Sequence, residues 1–125
     1  MLNKLLILAL AGMAGTLARY SMVGIIQKFN GDAFPWGTLA VNLTGCFLAG
    51  LLWAAFEGRW PVSAELRLIV LVGFMGAFTT FSAFVLDTYQ LAKAAEWLPA
   101  ALHFTMQNAL GFVALVVGVS LGKLL

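Results

Sequence analysis

Four long stretches of the chain carry almost no charge, and each is closed at its ends by charged, aromatic or turn-forming residues. Crossing a bilayer as a helix takes roughly 20 mostly apolar residues. The pattern therefore predicts four membrane helices over about 2–27, 34–57, 63–92 and 96–123 in a single domain, residues 1–125. Between them, Lys28-Phe29-Asn30-Gly31-Asp32 has turn chemistry, Gly58-Arg59-Trp60-Pro61 separates the second helix from the third, and a polar stretch from Lys93 to Glu96 precedes Pro99. Trp36, Trp60, Trp97 and Tyr89 lie at segment ends, where amphipathic rings favour the headgroup level. Lys4 and the small residues Ala9-Leu10-Ala11 imitate a secretory signal. The apolar run continues through Gly12, Gly15 and Thr16 to Arg19, so it is read as a helix that stays.

Composition agrees with the pattern. Hydrophobic residues make up 62% of the 125 and charged ones 10%, and mean hydropathy is +0.98. These values exclude an ordinary water-soluble domain. The formal charge of +2 comes with no basic run, so nucleic acid is not an expected partner. Cys46 is the single cysteine, sits in an apolar segment and is read as packing; it allows no intrachain disulfide and no cysteine-based zinc site. With four crossings, Lys4, Arg59, Arg67 and Lys123 fall on one side, and Lys28 and Lys93, with Arg19 near the boundary, on the other. That small difference assigns no orientation. Small residues on the helix surfaces permit close helix contact in lipid, and four helices alone do not easily enclose a polar path, so self-association is expected.

Polar side chains are costly in hydrocarbon, so their positions are where function is sought. On the second helix Thr38, Asn42, Gly45 and Ala49 share a stripe. The Asn42 NH2 either serves a neighbouring helix or offers donors to an anion. On the fourth helix His103, Gln107 and Gly111 are spaced by four and face one way, lining a pathway or, for His103, satisfying a local partner near the helix start. In the third, Gly73-Phe74-Met75-Gly76-Ala77-Phe78-Thr79-Thr80-Phe81-Ser82-Ala83-Phe84 joins glycines with hydroxyls that compete for backbone bonds. This predicts an unwound turn near 75–80, as against a crowded but intact helix. Broken backbone at membrane depth must be buried or line a cavity, and its freed carbonyls can coordinate a cation. Phe81 and Phe84 share a face. Such a pair commonly packs or faces lipid, but a ring edge turned inward carries the positive end of the quadrupole and can touch an anion.

Three motifs together resemble the Fluc (CrcB) fluoride channels over the whole chain: Gly37-Thr38-Leu39 with Val41-Asn42-Leu43 and Gly45; Gly73-Phe74-x-Gly76 leading into Thr79-Thr80-Phe81-Ser82-Ala83-Phe84; and Gly15-x-x-x-Arg19-Tyr20. The resemblance implies an all-α integral membrane protein that forms an antiparallel, dual-topology homodimer in the bacterial cytoplasmic (inner) membrane. It implies two fluoride pores lined by Asn42, Phe81, Phe84, Thr80 and Ser82, with His103 and Gln107 on the last helix, and Arg19 in an electropositive vestibule. It also implies a structural sodium ion at the dimer interface, held by the backbone carbonyls of Gly76 and Thr79 from both subunits. The implied activity is passive export of cytoplasmic fluoride, conferring resistance, and no enzymatic reaction. Ala83 and Asp87 depart from the threonine and glutamate frequent in the family, and Gly111 offers no side-chain donor to the last-helix track. The alternative weighed is a small proton-coupled multidrug exporter, which needs a carboxylate in the first helix; a holin-like bundle would leave Asn42 and the Thr79-Thr80 break without purpose.

Overall fold

The computed structural model describes residues 2–125 and consists of helices and short connections. Helix α1 spans Leu2–Asn30 and α2 spans Trp36–Glu57. The third crossing is composite: α3 over Ala64–Arg67, a π-helical stretch over Leu68–Phe74, α4 over Met75–Phe78 and, after a break at Thr79–Thr80, α5 over Phe81–Lys93. Helix α6 spans Trp97–Gly122. Four spans are long and apolar enough to cross a membrane, as the hydropathy pattern requires.

Helix α1 runs three residues past its expected end because its last turn is finished by side chains. Asn30 Nδ2 donates to the Ile26 carbonyl, and Gln27 Nε2 donates to the carbonyls of Gly31 and Phe34. Gly31, at φ 77°, takes the left-handed conformation that stops the helix, where a side chain would be strained. The same Gln27 accepts from the Gly37 amide at 3.1 Å. One carboxamide thus joins the end of α1 to the open first turn of α2. At the opposite end Arg67 Nη2 donates to the Phe56 carbonyl at 3.0 Å while its Nη1 lies 3.7 Å from Glu57 Oε1, tying the end of α2 to the start of the third crossing. Ser63 caps α3 by accepting from the Leu66 amide.

The buried apolar residues lie on α2, at Leu39, Val41, Ala54, Ala55 and Phe56, on the halves of the third crossing, at Met75, Phe78 and Phe84, and on α6 at Ala100. Helix α1 buries only Gly15 and leaves Leu6, Leu10, Met13 and Leu17 exposed, as suits a helix bathed in lipid or in contact with another copy. Without a hydrophobic force between helices in lipid, close van der Waals packing between backbones decides association. The α2–α6 seam shows this most sharply. A Cβ on Gly118 would run into the Phe47 carbonyl and the Leu51 amide nitrogen, backbone atoms that have no room to yield. Gly118→Ala is therefore expected to lower stability by about 1–3 kcal/mol. Gly24, whose added Cβ meets nothing within 4 Å, is the control. Thermal unfolding in detergent checks the pair: a clear fall in Tm for Gly118→Ala and none for Gly24→Ala.

The π-helical stretch was not legible in the sequence. It lies against α1, where Gly15 approaches the Phe74 carbonyl and Gly73 sits beside Leu8 and Ala11. The widened turns end at Phe74, one short helix before the break.

Candidate ion pathway at the helix break

At Thr79 and Thr80 the backbone becomes extended, with φ/ψ of −80°/159° and −149°/114°. An extended pair at this depth strips hydrogen bonds from the third crossing, and Asn42 replaces them. Asn42 Oδ1 accepts from the Thr80 amide at 2.8 Å, and Asn42 Nδ2 donates to the Thr80 carbonyl at 2.9 Å. The carboxamide clamps one peptide from both sides. Thr80 then caps α5, its Oγ1 accepting from the Ala83 amide at 3.2 Å and lying 3.5 Å from Ser82 Oγ. Thr79 Oγ1 turns back to donate to the Met75 carbonyl.

These exchanges free carbonyls at the break, those of Gly76 and Thr79 among them. In a continuous helix the Gly76 carbonyl would accept from the Thr80 amide and the Thr79 carbonyl from the Ala83 amide. Both amides are engaged elsewhere, with Asn42 and with the Thr80 hydroxyl. Among the described residues no backbone amide outside the regular helices reaches either oxygen. Gly76 itself is exposed on the surface of the protomer.

A groove of about 370 Å³ opens beside the break, with Asn42, Thr79, Thr80, Phe81, Phe84, Gln107 and Asn108 as its polar and aromatic lining and Cys46, Ala49, Leu71 and Leu115 as its apolar continuation. No charged side chain lines it. Thr80 also lines a second hollow of about 270 Å³ that holds Arg19, Tyr20 and Thr38. Thr38 in turn borders a third, of about 360 Å³, with Gln27, Asp32, Asp87 and Gln90. Thr38 Oγ1 donates to Asp87 Oδ2 at 2.6 Å, so this carboxylate of the third hollow is held by the residue that both outer hollows share. Polar concavities thus follow one another from the α1–α2 turn to the break, sharing Thr38 and Thr80 as common walls.

Phe81 is 76% exposed, and Phe84 is 4% exposed. Their rings meet edge to face with centroids 5.6 Å apart. Phe84 is wedged against His103 at 5.5 Å and Phe104 at 5.8 Å. The fourth-helix residues divide. Gln107 reaches the groove, and its Oε1 accepts from Asn42 Nδ2 at 3.1 Å. His103 is fully buried behind it, 3.2 Å from Gln107 Nε2 and 3.0 Å from Thr88 Oγ1. Gly111 carries no donor and faces Cys46. Both hydrogens of the Asn42 NH2 are already committed, to Thr80 and to Gln107, whereas Gln107 Nε2 keeps one hydrogen without a partner among the described residues. Thr88 and Gln27 had not been singled out from the sequence. Thr88 lies four residues beyond Phe84, and Gln27 four before Gly31, which is the signal available for each.

The model of the family described as "CrcB-like protein, Camphor Resistance (CrcB)" matches residues 6–119. The chain belongs to this family. CrcB-like relatives match it end to end: a protein of Desulforapulum autotrophicum is 57% identical with 98% of each chain covered, one of Nitrosococcus oceani 48% identical with both chains covered in full, and one of Solidesulfovibrio magneticus 47% identical over the same extent. Each of these three is named a fluoride-specific ion channel FluC. In this CrcB-like chain the sequence resemblance and the fold meet at the break, where the Gly76 to Phe84 motif supplies the unwound turn and the Asn42 motif the clamp that holds it.

Proposed function

We propose that the protein is a fluoride-selective channel that lets cytoplasmic fluoride leave passively, down its electrochemical gradient, and so confers resistance. The observation that carries this reading is a groove lined by neutral donors and phenylalanine rings, at a membrane-depth helix break, in a chain whose full-length relatives are named fluoride-specific channels. Fluoride is small and strongly hydrated, and burying it bare is prohibitive. Donors must replace its water without holding it, and a channel achieves that with several weak contacts rather than one fixed charge. The unpartnered Gln107 hydrogen, the Thr80 and Ser82 hydroxyls and the edges of Phe81 and Phe84 are such contacts. An ion at Asn42 exchanges for a bond that the NH2 makes to Thr80 or Gln107, which keeps its grip weak. Arg19, in the adjoining hollow, concentrates anions at the entrance instead of binding them at the constriction. His103 supports this lining from behind.

The working unit is an antiparallel homodimer in the cytoplasmic membrane of a bacterium. Supporting this, one protomer leaves the groove, Gly76 and Phe81 open to its surroundings, and the basic residues are divided between the two sides closely enough to permit either orientation. The Gly76 and Thr79 carbonyls, released from the helix, are neutral hard oxygen donors that fit a sodium ion shared between subunits. When bound there, the ion would offset the repulsion of converging carbonyl dipoles. The alternative of a proton-coupled multidrug exporter finds no support, since α1 carries no carboxylate from Leu2 to Asn30.

Vesicles loaded with potassium fluoride and given a potassium ionophore test the reading. Fast fluoride loss at a fluoride electrode, with chloride retained in parallel vesicles, is the expected result. Sealed vesicles, or chloride loss at a similar rate, would overturn it.

A further inference from the structure

Behind the groove, the hydrogen bonds from Thr88 to Thr80 admit one assignment of hydrogens. Thr88 Oγ1 has a single hydrogen and donates it to the Phe84 carbonyl at 2.8 Å. Toward His103 Nδ1, 3.0 Å away, the same oxygen acts only as acceptor, so the neutral ring carries its hydrogen on Nδ1. Nε2 is then an acceptor, and Gln107 Nε2 donates to it at 3.2 Å. That choice turns Gln107 Oε1 toward Asn42, whose Nδ2 donates to it at 3.1 Å. Asn42 is thereby left with Nδ2 on the Thr80 carbonyl and Oδ1 on the Thr80 amide. The relay begins on a backbone carbonyl of α5 and ends on the peptide at the break.

A carboxamide has nearly the same shape with its oxygen and nitrogen exchanged, so packing alone does not choose between its two orientations. Polarity must choose. A reversed Gln107 would set its oxygen against the His103 Nε2 lone pair and its NH2 against the NH2 of Asn42, leaving two buried contacts unmade. A reversed Asn42 would set oxygen against the Thr80 carbonyl and NH2 against the Thr80 amide. We propose that Thr88 and His103 are positioning residues of the pathway: without touching the ion, they fix the orientation of Gln107 and Asn42 and so hold the Thr80 peptide in its extended conformation. The proposal rests on the channel reading, because its consequence is a lining whose donors all face the required way.

Two substitutions remove the polarity and keep the shape. Thr88→Val exchanges the hydroxyl for a methyl, and His103→Phe keeps an aromatic ring without nitrogens. Two others preserve it: Thr88→Ser keeps the hydroxyl, and His103→Gln presents an N–H to Thr88 and an oxygen to Gln107. Fluoride efflux from vesicles is measured for all four, together with Tm and hydrogen exchange at the Thr80 amide in the detergent-solubilised full chain. Thr88→Val and His103→Phe are expected to lose about tenfold or more in efflux, the weight of one buried hydrogen bond left unmade, and to exchange the Thr80 amide faster by a similar factor. Thr88→Ser and His103→Gln are expected to recover most of both. Wild-type efflux and protection in Thr88→Val would overturn the proposal. So would failure of both polarity-preserving variants, which would assign the effect to shape, or a loss of efflux that only tracks a fall in Tm. A wild-type protein that passes no fluoride but shows the expected exchange pattern at Thr80 would remove the channel reading and leave the relay standing.

Discussion

Replacing Asn42 with aspartate is expected to bring fluoride efflux from loaded vesicles down to the rate of protein-free vesicles. The exchange is nearly isosteric, so its effect is electrical. One carboxylate oxygen can keep the Thr80 amide, but the other takes the place of Nδ2, 2.9 Å from the Thr80 carbonyl oxygen and 3.1 Å from Gln107 Oε1. Two attractive contacts become repulsive ones. Asn42 is half-buried, and a carboxylate there that faces two acceptor oxygens without a countercharge is destabilising, so Tm should fall as well. An anion passing about 4 Å from that carboxylate would meet a further repulsion of about 4 kcal/mol at an effective dielectric constant of about 20, near a thousandfold in rate. Efflux electrodes and thermal unfolding read the two effects separately. Asn42→Asp protein that conducts within a few-fold of the wild type would place Asn42 away from the ion's route.

The spans were legible because their signal is local: a run of apolar residues between charges does not depend on what packs against it. The break was legible for a related reason, since the Thr79-Thr80 hydroxyls compete for backbone bonds wherever they sit, but it is narrower than the expected 75–80: Met75–Phe78, Gly76 included, stays helical and only Thr79 and Thr80 are extended. The hydrogen-bond partners of the break were not legible. Asn42 and Thr80 are 38 positions apart, and Asn42 and Gln107 are 65 apart, so no spacing rule links them. The stripe on α2 showed that Asn42 needed a partner; only the fold shows that this partner is the peptide of Thr80. Thr88 escaped notice because a threonine late in a helix ordinarily bonds back to the preceding turn, and it does so here, to Phe84. Its second contact, with His103, depends on how α5 meets α6. The π-helical stretch lies where Gly15 lets α1 approach the Phe74 carbonyl, a tertiary contact that Leu68 to Phe74 does not announce.

Phe81→Ile is expected to lower fluoride efflux by about thirtyfold or more while leaving Tm unchanged. The residue is 76% exposed on the chain, so its replacement opens no cavity within the four-helix fold. Isoleucine keeps the apolar character that lipid or a second copy would require, so bilayer fit is retained. What it removes is the ring edge. A cation over a ring face gains about 2 kcal/mol where water is excluded, and an anion at the ring edge meets the opposite end of the same quadrupole; on that scale the loss corresponds to about thirtyfold in rate. Phe81 stands at the open side of the groove with its ring edge to face with Phe84, and Phe84 is pinned by His103 and Phe104, so the orientation of the outer ring is inherited from the buried one. Phe112, 69% exposed on α6 and outside the groove, is the matched control. An outward phenylalanine that only meets lipid should tolerate isoleucine, so Phe112→Ile is expected to conduct as the wild type does. Equal losses at both positions would trace the effect to general packing in the bilayer. Normal efflux through Phe81→Ile would take the ring out of the ion's path and leave Gln107 and the hydroxyls of Thr80 and Ser82 to replace its water alone.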